Sequence, residues 1–385
     1  MRGHVAKKGR RWYAVYDEGR TENGKRVQRW RVGGDTKAEA ERTLRSILST
    51  VDIGDYVQPT ELTVGTFLEQ WIEASRAQLR GTTHASYAML LRTHVKPRLG
   101  DVKLQRLTPP ALNSLYADLL ASGRRDGKGG LSPRTVRYVH TVLQRALADA
   151  VGWAMLARNP ASAANPPKKA PATRKPTWTA ADLRRFLERA RDDRLYAAFL
   201  LAAMTGMRRG EVLGLAWTSV DLDGAKVTVE RSHVSVNYLP QMEAPKTSRG
   251  RRVIALDSST VAALREHRDR QLDDRVAMGA DWGNAHDLVF TRADGSPLHP
   301  QGFSEAFERH VAAEGLPKLS LHGLRHTHAT LALRAGVHPK VVSERLGHAS
   351  VSFTLDVYTD ALPDMQETAA GMVSALVFEP ALEVG

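Results

Sequence analysis

Residues 320–331 read SLHGLRHTHATL, with His322, Arg325, His326 and His328 crowded into seven positions. A helix starting near His322 brings Arg325 and His326 onto one face with it, because residues three and four apart are helix neighbours, and turns His328 away. Three readings compete. A metal site would use His322 and His326, one turn apart, and needs a third ligand; the fixed positive charge of Arg325 between them repels a divalent cation. A solvated helix asks nothing more of the sequence. An oxyanion clamp would set the guanidinium fork of Arg325 against two phosphate oxygens with an imidazole beside it. That reading requires further cations and a nucleophile elsewhere in the chain.

The flanking sequence supplies them. Residues 205–215, TGMRRGEVLGL, place Arg208 after a glycine turn, with Glu211 three residues on and within reach of its guanidinium. APKTSRGRRVIAL, residues 244–256, puts Lys246 just ahead of a strand-like run. LGHASVSFTLDVYTD, residues 346–360, adds His348 and, ten residues later, Tyr358.

In this order the four motifs resemble those of the tyrosine recombinase, or phage integrase, family. TGMRRGE resembles its first arginine box, PKTSRGRRV its lysine-bearing hairpin, HGLRHTHAT its His-x-x-Arg box and LGHASVSFTLDVY its His-to-nucleophile box. The resemblance implies an active site of Arg208, Lys246, His322, Arg325, His348 and Tyr358, with Tyr358 as nucleophile and Glu211 in support. Two positions depart from the pattern: Gly323 stands where an acidic residue is frequent, and Asp360 where a histidine often follows the nucleophile.

The implied chemistry suits these groups. In-line attack on a phosphodiester builds negative charge on its nonbridging oxygens, so Arg208 and Arg325 can bind the transition state more tightly than the ground state. A phenol with a pKa of about 10 in water must shed its proton to attack, and His322 is the expected acceptor, with a clamping role as the alternative. Lys246 is the family's general acid for the leaving 5′ oxygen, and His348 is expected to bond a nonbridging oxygen. A 3′-phosphotyrosine linkage retains the bond energy, so a 5′-hydroxyl from another strand can reverse the step without ATP. No cofactor and no metal are expected.

Composition points the same way. The 385 residues are too many for one ordinary core, and two or three domains are expected. A net charge of +13 favours a polyanion, nucleic acid first and an anionic membrane surface second. With no cysteine, disulfides, zinc-thiolate clusters and a thiol nucleophile are excluded. No glycine-rich loop follows a strand, which argues against ATP or a dinucleotide. The N-terminus lacks an apolar signal region, and the longest apolar run, residues 195–204, is about half a membrane span. A soluble protein is therefore expected, in the cytoplasm of a bacterial host and associated with its nucleoid.

Along the chain the reading is multidomain. In residues 1–60, RWYAVYD and VQRWRV alternate as strands around a polar turn at Asn23 and Gly24, and a helix capped by Thr36 follows. This small sheet-plus-helix domain is similar to the arm-type DNA-binding domains of some integrases, with Lys7, Lys8, Arg10, Arg11, Tyr13, Lys25, Arg26, Arg29 and Arg31 as candidate DNA contacts. Residues 61–158 read as four helices, a core-site-binding domain; TPPALNSLYADLL and SPRTVRYVHTVLQRALADA each start with a Ser/Thr cap and a proline. Residues 159–177 hold five prolines and four basic residues, Lys168, Lys169, Arg174 and Lys175, and read as an extended linker able to follow a phosphate backbone. Residues 178–385 read as an α+β, mainly helical catalytic domain.

The resemblance implies double-stranded DNA as partner at core and arm sites, a homotetramer on DNA, and room for a host bending protein or an excision factor. A resolvase-type recombinase, a type IB topoisomerase and a non-catalytic DNA-binding protein of the same fold are the competing functions. Residues 1–60 are the feature that leans toward an integrase. The tail around Met372 and Leu376 has helix-like apolar spacing, which suits packing within the chain or on a neighbouring subunit.

Overall fold

The computed structural model of the chain describes residues 3–20, 26–52, 57–169, 176–236, 239–243, 251–348, 350, 370–371, 373–374 and 377–378. They fall into two compact units, Met1–Ala172 and Thr173–Gly385.

The first unit opens with an antiparallel sheet in the order β1 (Gly3–Lys8), β2 (Arg11–Arg20), β3 (Arg26–Gly34), followed by α1 (Lys37–Asp52). β2 and β3 lie where the alternating patterns put them. The edge strand β1 carries no such signal: in GHVAKK only Val5 is a strong strand former, and pairing with β2 holds it in place. Thr36 caps α1, its Oγ1 accepting the Glu39 N–H (3.3 Å) while the Glu39 carboxylate accepts from the N–H groups of Asp35 and Thr36. Ala14 and Tyr16 pack on Leu44 and Ile47 of α1. Arg31 and Arg29 pair with Ala14 and Tyr16 and so share the α1 side of the sheet, whereas Tyr13 and Val15 pair with Val32 and Trp30 on the other side.

All four segments read as helices are helical: α2 (Val64–Ala74), α3 (Gly81–Leu90) continuing into α4 (Lys96–Leu99), α5 (Pro109–Ser122) and α6 (Pro133–Gly152). Thr63, Thr108 and Ser132 cap α2, α5 and α6 by accepting N–H groups three residues on. Between α3 and α4 the chain widens into a π turn over Leu91–Val95, which relieves the clash that the Pro97 ring would otherwise make with the preceding turn. Val136, Val139, Leu143, Ala146, Leu147 and Ala150 line the buried face of α6, and fully buried Trp71 donates its indole N–H to Asp149 (2.7 Å). Part of the proline-rich stretch read as an extended tether is instead seated on these helices. Asn159 caps a 3₁₀ turn over Pro160–Ala163, Pro160, Ala161 and Ala164 are buried, and the Pro167 carbonyl accepts from Arg137 Nη1 (2.8 Å). Small Ala and Pro side chains let the backbone approach the helices this closely.

The second unit contains α7 (Ala180–Arg189), α8 (Tyr196–Thr205), α9 (Arg209–Leu213), β4 (Val220–Asp221), β5 (Lys226–Val229), β6 (Ser232–Val236), β7 (Leu239–Glu243), β8 (Arg252–Ala255), α10 (Ser258–Met278), α11 (Pro300–Ala313), α12 (Leu321–Arg334) and α13 (Pro339–Leu346). β4, β5 and β8 form one antiparallel sheet in that order, and β6 and β7 form a separate hairpin. The apolar run at 195–204 becomes α8, a helix buried on nearly every side, as its unbroken hydrophobicity demands. Trp178, Phe186, Phe303 and Phe307 cluster with Phe199 of this helix, their neighbouring ring centroids 4.8–6.1 Å apart. Among the described residues no helix is long and apolar enough to cross a membrane.

Candidate active site

Three predicted groups meet at the C-terminal end of α13. α8 stops at Gly206, whose φ of 65° is left-handed, and whose missing side chain makes room: a Cβ there would lie 2.5 Å from Leu346 and 2.9 Å from the His328 ring. Two residues later Arg208 adopts extended backbone and starts α9. Glu211, in the first turn, accepts the Arg208 backbone N–H (2.9 Å) on one oxygen and Arg208 Nη1 (2.7 Å) on the other. Gly210 in α9 and Gly214 just after it let β6 lie against the helix backbone, since a Cβ on either would meet Ser232 or His233 at 2.4–2.8 Å.

Arg325 enters from α12 and is only 3% exposed. Its Nη1 donates to the Gly206 carbonyl (2.8 Å) and its Nη2 to the Leu346 carbonyl (2.7 Å). Arg208 Nη2 donates to the Gly347 carbonyl (3.2 Å). Both guanidinium groups are thus anchored on carbonyls at the end of α13, where the helix itself supplies no donors. Gly347 turns left-handed (φ 66°) to end the helix, and half-buried His348 follows, its N–H bonded to the Ser343 carbonyl (3.0 Å).

His322 is exposed at the first turn of α12, which Ser320 caps, and its ring meets that of buried His326 edge-on at 5.0 Å. The pair shares a face, as the helical spacing predicts, but among the described residues no group of three His, Asp or Glu is placed to hold a metal ion. Gly323 has a packing reason: a Cβ there would lie 2.4 Å from Leu319. His328, which its helical spacing turned away as a bystander, instead supports the site from behind. Its Nδ1 bonds the Ala203 carbonyl (3.0 Å) in the last turn of α8, and its ring packs on Gly206.

A group that motif reading missed is Arg252 at the start of β8. Its side chain is 7% exposed and pairs with Glu211 through both Nη atoms (3.2 and 2.8 Å). Burial pushes the Glu211 carboxyl up, but hydrogen bonding and charge from Arg252, then Arg208, outweigh it and hold it below the usual carboxylate range. Glu211 is therefore an anion between two cations. Lys246, Tyr358 and Asp360 lie outside the described residues, as do Lys25, Arg174 and Lys175. Lys7, Lys8, Arg10, Arg11, Arg29 and Arg31 are exposed on the N-terminal sheet and Tyr13 is half-buried beside Trp30, while Arg26 opens β3; Lys168 and Lys169 are exposed beyond α6.

Chemically, the arrangement presents one partly exposed guanidinium, Arg208, next to one buried and fixed, Arg325, at a surface that also carries His348. Such a pair suits a tetrahedral oxyanion with oxygens to share.

Comparison with known proteins adds three matches along the chain: an arm DNA-binding domain over residues 4–51, the phage integrase N-terminal SAM-like domain over 63–120 and the phage integrase family over 178–365. A tyrosine recombinase XerC-like protein of Caldanaerobacter subterraneus subsp. tengcongensis is 28% identical, over 97% of this chain and 98% of its own. The fold is similar to that of the Tn1549 transposon integrase in complex with transposon right end DNA (TM-score 0.63, 22% identity, 80% of this chain and 99% of that one). It is also similar to a lambda integrase tetramer bound to a Holliday junction (TM-score 0.57, 19% identity, 91% and 93%).

Proposed function

The chain belongs to the phage integrase family of tyrosine recombinases, and we propose that it cuts and rejoins DNA at specific sites through a 3′-phosphotyrosyl bond to Tyr358. It is a site-specific recombinase, read here as the integrase of a phage or integrative element. The observation that carries the site assignment is the convergence of Arg208, itself held by Glu211, and Arg325, from two motifs more than a hundred residues apart, on the carbonyls just before His348.

In this reading Arg208 and Arg325 hold the nonbridging oxygens of the scissile phosphate and neutralise the charge that in-line attack develops. Their bonds to backbone carbonyls orient them beforehand, so little reorganisation accompanies the reaction. His348 donates to a nonbridging oxygen, His322 takes the phenolic proton of Tyr358 or clamps the phosphate, and Lys246 protonates the departing 5′ oxygen. The chain is divided into an arm-binding domain (1–60), a core-site-binding domain (61–158), a basic linker (159–177) and a catalytic domain (178–385). An arm domain match at residues 4–51 favours integrase over resolvase. Double-stranded DNA is the partner, and strand exchange between two duplexes calls for four copies, as in the lambda tetramer. Action on a bacterial chromosome places the protein on nucleoid DNA in the cytoplasm.

The test is Tyr358→Phe on a nicked suicide substrate. Core-site binding is expected to persist and the covalent protein-DNA adduct to disappear; an adduct as abundant as that of the native protein would sink the assignment.

A further inference from the structure

Three consecutive carbonyls at the end of α13 accept from three arginines of three different elements. Arg345 O accepts from Arg252 Nε of β8 (2.7 Å), Leu346 O from Arg325 Nη2 of α12 and Gly347 O from Arg208 Nη2 ahead of α9. Helix C-terminal carbonyls are unsatisfied within the helix and carry its partial negative charge, so this end of α13 attracts and spaces cations. Two of the three arginines are assigned to the phosphate. The third, Arg252, is buried and turned the other way, with both Nη atoms on Glu211.

We infer that Arg252 is a positioning residue that keeps Arg208 available to the scissile phosphate. The inference rests on the assignment of Arg208 to that phosphate. Glu211 bonds Arg208 through Oε1 and through the backbone N–H, and Arg252 occupies both of its oxygens from the opposite side. Arg252 thereby fixes the plane of the carboxylate and satisfies much of its charge. Among the described residues Arg208 is left with a single side-chain bond to Glu211 and one to Gly347, and its side chain stays 43% exposed. Without Arg252, Glu211 is a buried carboxylate with one cation left, and a two-pronged pair with Arg208 becomes its best arrangement. That pair draws the guanidinium inward and away from substrate. Because Arg252 also bonds Arg345 O, it ties Glu211 to the same helix end that holds Arg325, setting the spacing of the two clamping groups.

Arg252→Gln and Arg252→Lys test this. The Lys variant retains a cation against Glu211 but cannot reach the carboxylate and Arg345 O together, so it serves if the Gln variant does not fold. Both are assayed for core-site DNA binding and for the rate of covalent adduct formation on nicked DNA. Each rate is measured on a normal scissile phosphate and on one whose nonbridging oxygen is replaced by methyl, a methylphosphonate that needs less charge neutralisation. Expected is unchanged DNA affinity and a rate lower by about a hundredfold on the phosphate, the scale of a misplaced catalytic group. On the methylphosphonate the variant-to-native ratio should return to within about tenfold of one, as it should for Arg208→Ala. Equal slowing on both substrates, lost DNA binding in a folded variant, or no slowing at all would overturn the inference. An Arg208→Ala control as fast as the native protein on the phosphate would instead overturn the site assignment itself.

Discussion

Acid should weaken the support beneath the two arginines, through His328. Its Nδ1 lies 3.0 Å from the Ala203 carbonyl, so the ring donates there, and among the described residues its buried Nε2 has no hydrogen-bond partner. Protonation would place a new buried N–H where nothing accepts it. Burial, then the charges of Arg345 and Arg325, push the His328 pKa down to about 4 from the ordinary 6.5, against the opposing bond to Ala203. A depressed folded-state pKa means the unfolded chain binds the proton first. This contribution to stability is therefore complete above 6.5 and is lost as pH falls toward 4. At about 1.4 kcal/mol per pH unit, the whole interval is worth about 3 kcal/mol. His328→Asn retains a donor for Ala203 O and cannot titrate. Burial also lowers the pKa values of His94, His140, His233 and His267, so total acid sensitivity is shared and the difference between variant and native protein is what isolates His328. Urea midpoints of the native protein should fall faster with acid than those of the variant, and NMR of the folded protein should show the His328 ring unprotonated well below pH 6. Parallel urea curves, or a His328 ring that titrates near 6.5, would refute the reasoning.

Three other perturbations probe the same architecture. Gly206→Ala forces a left-handed alanine whose Cβ meets Leu346 and His328; a loss of about 2–4 kcal/mol in thermal or urea unfolding is expected, with slower adduct formation because the Gly206 carbonyl anchors Arg325. Glu211→Gln removes the buried carboxylate charge that pairs with Arg252, which should cost about 3–5 kcal/mol of stability and lower the cleavage rate; a variant as stable and as fast as the native protein would remove Glu211 from the site. Deleting residues 1–60 should impair integration in a two-site recombination assay while sparing cleavage of an isolated core site, and equal loss of both would count against a separate arm-binding role.

The parts legible in the sequence are those set by local chemistry. Thr36, Thr108 and Ser132 cap their helices as residue type and position suggest, because a cap involves groups only three residues apart. The His322–His326 pairing follows from helical spacing. Arg252 was harder to read. Strand alternation puts it on the side of buried Ile254 rather than of 61% exposed Val253, but neighbouring Arg251 pairs with Glu230 and is equally basic. Nothing in RGRRV says which arginine meets Glu211.

α12 shows the deeper reason. Its polar sequence suggests a solvated face, yet Arg325, His326, Thr327 and Thr330 are all buried. Arg325 and Thr327 can be buried because main-chain groups of other elements meet them, Gly206 O and Leu346 O for Arg325 and the Trp178 N–H for Thr327, and half-buried His328 is held in the same way by Ala203 O. Residue types do not encode which turn ends beside a helix, so such partners are invisible until the chain folds. Buried side chains bonded to backbone are also stiff, since each bond ties a side chain to an element that is itself hydrogen-bonded. For a clamp that must meet a phosphate with fixed geometry, that stiffness turns a histidine-rich and arginine-bearing stretch into a scaffold.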